Sequence, residues 1–184
     1  MPVTVVATPG ASNANSFVTV AEADAYAEGR LNAAAWESAT ADTRARAVIE
    51  ASRDISYLYW KGSTVSASQA LAWPRAYVQD PDAPYDDQTI SLDDIVYFPE
   101  TEVPQRVKDA TCELALQYLK AGGNDVAMPD PSDGIVSKQV DVISVTYTDN
   151  GSRVTKGLNR FPRVMAFIGP MLAAGAGNKV ILRG

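Results

Sequence analysis

Apolar residues recur at helical spacing in several stretches of the chain and at strand spacing in one. The clearest helical pattern is Val48, Ala51, Ile55 and Leu58, which follow one another at intervals of three or four residues. That interval is the period of one helix face, so the pattern predicts a helix over about 41–60. Thr40 or Asp42 is the expected N-cap, and Gly62 is the expected left-handed residue that closes the helix.

Start signals define two more helices. Thr19 is followed three residues later by Glu22, a capping box that predicts a first helix over about 20–30. Its core-facing residues are expected to be Ala21, Ala25 and Tyr26. Pro162 occupies a favourable first position for the last helix, and the Gly-Pro pair at 169–170 is expected to break it.

The helix predicted over 104–120 is apolar on two faces. One face carries Val107, Ala110, Leu114 and Tyr118, and the other carries Cys112, Leu116 and Leu119. Two-sided hydrophobicity indicates burial on two sides. It fits either the central helix of a bundle or a helix whose second face contacts a neighbouring copy.

Strand periodicity is confined to residues 139–148, where Ile143, Val145 and Tyr147 alternate with polar residues. The Asn-Gly pair at 150–151 favours a tight hairpin turn, which predicts a return strand over 153–156. The fold class is therefore mainly α: a helical bundle with a small β-hairpin and an extended C-terminal tail.

We expect one domain over 1–184. Its predicted parts are an extended N-terminal arm (1–18), a helical core (19–122) with a long loop (79–103), a β-hairpin (136–157), and a C-terminal helix and tail (158–184). Before the loop, Trp73 and Pro74 are expected to anchor the chain on the bundle, because an indole buries a large area at low entropic cost.

Composition argues against an enzyme. The chain contains no histidine and a single cysteine, Cys112, so the most common general base and metal ligand is absent. Cys112 falls among apolar helix positions and is interpreted as a packed thiol. It has no partner for an internal disulfide, which favours assembly inside a cell. We predict no catalytic residue, no cofactor, no metal and, in the absence of a long apolar run, no membrane span.

The charges are segregated along a chain of net charge −6. Residues 80–102 carry eight carboxylates and no Lys or Arg, and residues 150–184 carry six Lys or Arg and no carboxylate. The candidate docking or channel-lining loop contains Asp80, Asp82, Asp86, Asp87, Asp93 and Asp94. The candidate partner or DNA contacts are Arg153, Lys156, Arg160, Arg163, Lys179 and Arg183. These cations are suited either to an acidic partner surface or to phosphates.

Several of these segments also occur together in a known family: 16–26, 35–36, 49–53, 58–62, 69–75 and 103–119. The most specific pieces are Tyr-Trp-Lys-Gly at 59–62 and Leu-Ala-Trp-Pro-Arg at 71–75. Over roughly residues 16–148 the chain resembles the head–tail connector (adaptor) proteins of tailed bacteriophages. It is also similar to a primosomal-type, DnaT-like single-stranded-DNA-binding domain.

The connector resemblance implies a virion neck protein assembled in the host cytoplasm. Such a protein forms a cyclic oligomer below the portal protein, docks the next neck or tail protein, and lets genomic DNA pass without sequence-specific binding. The alternative is a replication module that binds single-stranded DNA. That alternative predicts salt-sensitive binding that depends on Arg153, Lys156, Arg160 and Arg163.

Overall fold

Helices are the main regular secondary structure of the described residues. A computed structural model of the protein describes residues 3–83, 95–122, 137–140, 143–146 and 157–173. Its helices are α1 (Val20–Glu28), α2 (Ala34–Glu37), α3 (Ala41–Ser56), α4 (Gln105–Lys120) and α5 (Pro162–Ile168). The mainly α fold with a small antiparallel sheet is confirmed. The predicted C-terminal tail falls on residues 174–184, which lie outside the described ranges.

α4 is the centre of the bundle. It contacts α1, α2, α3 and α5, and α3 makes its most extensive contact. Its buried residues are Val107, Ala110, Thr111, Cys112, Glu113, Leu114, Ala115 and Leu116. Burying a leucine side chain such as Leu114 contributes about 1.5–3 kcal/mol. Both apolar faces of α4 are thus covered within one chain, and the central-helix interpretation is confirmed.

α1 starts where the sequence predicts. The Thr19 hydroxyl accepts from the Glu22 backbone N–H at 3.1 Å, and the Glu22 carboxylate accepts from the Thr19 N–H at 2.7 Å. The expected core face was wrong, however. Ala23 and Ala27 are buried, whereas Ala21 and Ala25 are exposed and Tyr26 is half-buried. Alanines at every second position of this helix left its buried face unspecified in the sequence.

α3 begins after Thr40, whose hydroxyl accepts from the Thr43 N–H at 3.2 Å. It ends at Ser56, four residues earlier than predicted, because the chain then leaves the helix to pair Trp60 with Leu172. Gly62 does have positive φ (+67°), as expected, but it is not a helix cap. A Cβ there would lie 2.1 Å from the Ala76 carbonyl oxygen, so the close approach of two chain segments requires glycine.

Two small antiparallel sheets are described. β1 (Ser63–Thr64) pairs with β2 (Arg75–Ala76), a pairing that the sequence pattern did not indicate. β3 (Ser137–Val140) pairs with β4 (Ile143–Thr146). The strand predicted over 139–148 was therefore correct for Ile143–Thr146, but residues 139–140 belong to the partner strand, which precedes it in the chain. The predicted return strand at 153–156 and its turn at 150–151 lie outside the described residues.

Trp73 is buried in the segment before the long loop. It is 1% exposed and makes edge-to-face contacts with Trp60 at 5.4 Å and with Phe98 at 6.0 Å between ring centroids. Pro74 beside it is also buried. The bridge between Gln79 and Tyr97 brings the two described ends of the loop together.

The N-terminal arm forms no helix or strand over 3–18 but is well packed at its end. The Asn15 side chain accepts from the Val6 N–H at 2.7 Å, and the Phe17 N–H donates to the Ser52 hydroxyl at 2.9 Å. Phe17 and Val18 are fully buried.

α5 packs on α4 at the other end of the chain. Pro162 occupies its first turn, Val164 and Ile168 are buried, and the 3₁₀ segment Gly169–Met171 replaces the helix at the predicted break. None of the helices in the described ranges has the length and hydrophobicity needed to cross a bilayer.

Candidate nucleic-acid interface

A basic cleft of about 300 Å³ opens between α4, the start of α5 and the residues that follow α1. We call it the Glu113 cleft. It is lined by Arg30, Asn32, Glu113, Gln117, Lys120, Arg160, Phe161, Pro162, Arg163 and Val164.

Helix geometry explains which residues meet there. Glu113, Gln117 and Lys120 are spaced four and three residues apart on α4, so they follow one another along a single face. Arg160 ends a 3₁₀ turn (Gly157–Arg160), and Arg163 lies in the first turn of α5. The packing of α5 against α4 brings these residues to the α4 face.

Glu113 is the buried carboxylate at the base of the cleft, with a side chain only 4% exposed. Its Oε2 lies 3.0 Å from an Arg30 guanidinium nitrogen and 4.0 Å from one of Arg163. The Tyr26 hydroxyl donates to the same oxygen at 3.0 Å, and the Gln117 amide donates to Oε1 at 2.9 Å. These partners compensate the cost of burying the carboxylate.

Tyr26 serves this network as a neutral donor. Burial of its ring, together with the nearby Glu113 carboxylate, raises the pKa of the Tyr26 hydroxyl well above its ordinary value. The hydroxyl therefore keeps its proton at physiological pH and holds Glu113 in one orientation.

The charge balance of the cleft is positive. Four cationic side chains, those of Arg30, Lys120, Arg160 and Arg163, share the cleft with one carboxylate that is already hydrogen-bonded. Guanidinium groups bind phosphate oxygens through paired hydrogen bonds. Phe161 adds an aromatic side chain to the lining, of the kind on which nucleic-acid bases stack.

The comparison with protein families then identifies the chain. All of it, residues 1–184, matches the family described as "Putative DnaT-like ssDNA binding protein". The chain belongs to this family. No curated protein and no solved structure matched it. The family description agrees with the single-stranded-DNA alternative, and nothing in the comparisons supports the connector family itself.

Two of the predicted basic residues of this DnaT-like protein line the cleft, Arg160 and Arg163. Arg153, Lys156, Lys179 and Arg183 lie outside the described residues. Sequence reasoning missed Arg30 and Lys120, because neither belongs to the basic C-terminal run and only tertiary packing brings them to it. It also missed Glu113, although a carboxylate between Cys112 and Leu114 in an apolar stretch was a detectable signal.

The acidic loop of the DnaT-like chain is described at its two ends, over residues 79–83 and 95–103. Asp82 pairs with Arg106 of α4, and Asp80 accepts a hydrogen bond from the Asp82 N–H at 3.0 Å. Asp86, Asp87, Asp93 and Asp94 lie outside the described residues. Asp80 and Asp82 thus make contacts within the chain, whereas Glu100 and Glu102 at the other end of the loop are exposed.

Cys112 is buried in α4, as expected of a packed thiol. Burial, with a smaller contribution from Asp109, raises the pKa of the Cys112 thiol to about 12. The thiolate that nucleophilic chemistry needs is therefore scarce at neutral pH. Within the described ranges, no cluster of three or more His, Cys, Asp or Glu side chains is arranged to hold a metal ion.

Proposed function

We propose that this DnaT-like protein binds single-stranded DNA in the Glu113 cleft. The observation that carries the proposal is the convergence of Arg30, Lys120, Arg160 and Arg163 on one concave surface. In a chain of net charge −6, such a local excess of positive charge is suited to a polyanion.

The size of the cleft favours a single strand over a duplex. A volume of about 300 Å³ is at the lower end for small-molecule sites and takes a ligand the size of one or two nucleotides. An unpaired base has a free face that can reach Phe161, whereas a paired base is stacked within the helix. Phosphates would contact the surrounding cations.

Binding through these four cations should depend moderately on salt. Each neutralised phosphate of a single strand contributes about −0.7 to the slope of log K against log salt, so the two phosphates of a dinucleotide give about −1.4. The net negative charge of the chain opposes contact with DNA wherever carboxylates are exposed, which favours binding at surfaces without them.

The test is fluorescence anisotropy of labelled oligothymidylate, titrated with protein at several salt concentrations, with a duplex of equal length for comparison. The Arg163→Ala variant should weaken binding and reduce the magnitude of the salt slope by about 0.7. Arg46→Ala is the matched control, because Arg46 is an exposed arginine of α3 that does not line the cleft. No binding at low salt, or equal losses in both variants, would count against the proposal.

We propose the non-enzymatic head–tail connector of a phage virion neck as a second candidate function. The observation that favours it is an exposed pair of aromatic rings, Tyr77 and Tyr97, whose centroids are 6.4 Å apart. Exposed aromatic clusters are typical of protein–protein contacts. Electron microscopy of the protein mixed with portal should show a ring below the portal that a Tyr97→Ser variant fails to form. Absence of such a ring with the unaltered protein would exclude this role.

A further inference from the structure

Tyr59 presents a largely uncovered aromatic ring close to the C-terminal end of α5. The residue is 76% exposed. The Ala173 N–H donates to the Tyr59 carbonyl at 2.9 Å, and the Lys61 N–H donates to the Met171 carbonyl at 3.0 Å. These two bonds fix the Tyr59 backbone against the segment that follows α5.

Lys61 lies on the same side of this segment as Tyr59. Trp60 between them pairs with Leu172 and is buried, and side chains alternate along extended chain, so its two neighbours project outward together. The Lys61 ammonium donates to the Pro170 carbonyl at 2.7 Å. An ammonium has three donors, so this bond leaves two for another acceptor. An aromatic ring next to a cation is the arrangement that binds one nucleotide by stacking and by charge.

A continuous surface leads from the Glu113 cleft to this pair. The exposed residues of α5 and the 3₁₀ segment are Pro162, Arg163, Ala166, Gly169 and Pro170. No Asp or Glu occurs between residues 157 and 173, so no carboxylate of this segment repels a phosphate backbone. From the helical rises, the path along α5 and the 3₁₀ segment is about 16 Å long.

We infer that Tyr59 is a base-stacking subsite for the same single strand whose phosphates the Glu113 cleft holds, with Lys61 contacting the adjoining phosphate. This inference rests on the proposed function. At about 3.4 Å per stacked nucleotide, the path corresponds to about five nucleotides. The site therefore binds an oligonucleotide rather than a single nucleotide, and its affinity depends on strand length.

Tyr77 provides the matched control, since it is a tyrosine of similar exposure (73%) outside this path. It contacts Tyr97, and Tyr97 pairs with Gln79, which precedes Asp80 at the start of the acidic loop. The carboxylates of that loop make its surroundings unfavourable for phosphates.

The experiment compares the Tyr59→Ala, Tyr59→Phe and Tyr77→Ala variants by anisotropy on oligothymidylates of about 3 and about 12 nucleotides, lengths that bracket the path. Tyr59→Ala should bind the longer strand about 5- to 150-fold more weakly, the range that loss of one base stack gives. Its affinity for the shorter strand should be unchanged, because that strand fills only the cleft. Tyr59→Phe keeps the ring and should bind like the unaltered protein, as should Tyr77→Ala.

A second measurement locates the base that stacks on Tyr59 along the oligonucleotide. One abasic residue is moved along the longer oligonucleotide, which removes a base but keeps the phosphates. At one position the abasic residue should weaken binding by the unaltered protein and have no effect on Tyr59→Ala.

The outcomes separate this inference from the proposed function. If Arg163→Ala weakens binding while Tyr59→Ala binds both strands normally, the stacking subsite is refuted and the DNA-binding cleft stands. If the unaltered protein binds neither strand at low salt, the proposed function fails and the subsite with it. Equal losses for Tyr59→Ala and Tyr77→Ala would also overturn the assignment of Tyr59.

Discussion

Replacing Glu113 by glutamine should destabilise the protein and at the same time tighten its binding to single-stranded DNA. The two effects have opposite signs because the carboxylate has two roles. It compensates the charge of Arg30 inside the fold, and it is the single carboxylate lining a cleft of cations. Most substitutions that destabilise a binding surface weaken binding as well, so this combination is diagnostic.

The loss of stability follows from the bonds around Glu113. Its oxygens accept from Tyr26 at 3.0 Å and from Gln117 at 2.9 Å, and pair with Arg30 at 3.0 Å. Hydrogen bonds to a charged group contribute about 1.5–3 kcal/mol each. Glutamine keeps one acceptor oxygen, and the Arg30 side chain is 28% exposed, so part of the loss is recovered by the remaining bonds and by water. We expect a net loss of about 3 kcal/mol, or about 6–12 °C in Tm for a chain of this size.

The gain in binding follows from the charge. A phosphate about 6 Å from the carboxylate, at an effective dielectric constant of about 40, is repelled by about 1.4 kcal/mol. Removing that repulsion corresponds to about tenfold tighter binding at low salt. The gain should shrink only modestly as salt is added, because the repulsion involves a buried carboxylate, which salt screens less than exposed charges.

Urea unfolding followed by circular dichroism measures the first effect, and anisotropy with labelled oligothymidylate measures the second. Glu50→Gln is the control, since Glu50 is an exposed glutamate of α3 that does not line the cleft. It should change neither quantity. An unchanged midpoint for Glu113→Gln would refute the account of the buried network. Weaker DNA binding by a folded Glu113→Gln variant would refute the charge argument.

Two further predictions test the packing. Gly62→Ala should lower the free energy of unfolding by about 3 kcal/mol or more, because a Cβ at this positive-φ residue lies 2.1 Å from the Ala76 oxygen. Gly122→Ala should lower it by only about 1 kcal/mol, because Gly122 has a similar φ but a Cβ there meets nothing within 4 Å. Equal midpoints in urea for the two variants would contradict the steric reason. Because the folded state raises the pKa of Cys112 from 9.0 to about 12, the stability from its protonated thiol is complete below about pH 9 and is lost as the pH rises through that range. This loss amounts to about 1.4 kcal/mol per pH unit, and urea titrations should show it reduced in Cys112→Ala. If the stability of Cys112→Ala decreases with pH as steeply as that of the unaltered protein, another group is responsible for the decrease.

Much of the helical architecture could be predicted from local signals. The Thr19 capping box, the period of α3 and Pro162 at the start of α5 act within a few residues, so the sequence alone carries them. The buried face of α1 could not be predicted, because its alternating alanines offer no contrast in hydrophobicity. The pairing of β1 with β2 also escaped, since two-residue strands have no measurable period.

The candidate site was only half predictable for a related reason. Arg160 and Arg163 stand in a sequence run without carboxylates, and that run is visible in the chain. Glu28 lies close to Arg30 in the sequence, and Glu113 lies seven positions before Lys120. Counting charge along the sequence therefore gave no local positive excess at either cation. The charge that matters to a ligand is the sum over a folded surface, and α4 brings distant residues onto that surface.

Glu113 shows why the acidic net charge and a basic site are compatible. Bringing four cations together costs electrostatic energy, and one buried carboxylate with well-formed bonds to Arg30 and Tyr26 offsets part of that cost. Because a single carboxylate is outnumbered, the cleft keeps an excess of positive charge at its mouth. The carboxylate thus stabilises the cation cluster while it moderates affinity for phosphate. For the single-stranded-DNA binding that we propose, this compromise permits release as well as binding, and the opposite shifts expected for Glu113→Gln are its direct consequence.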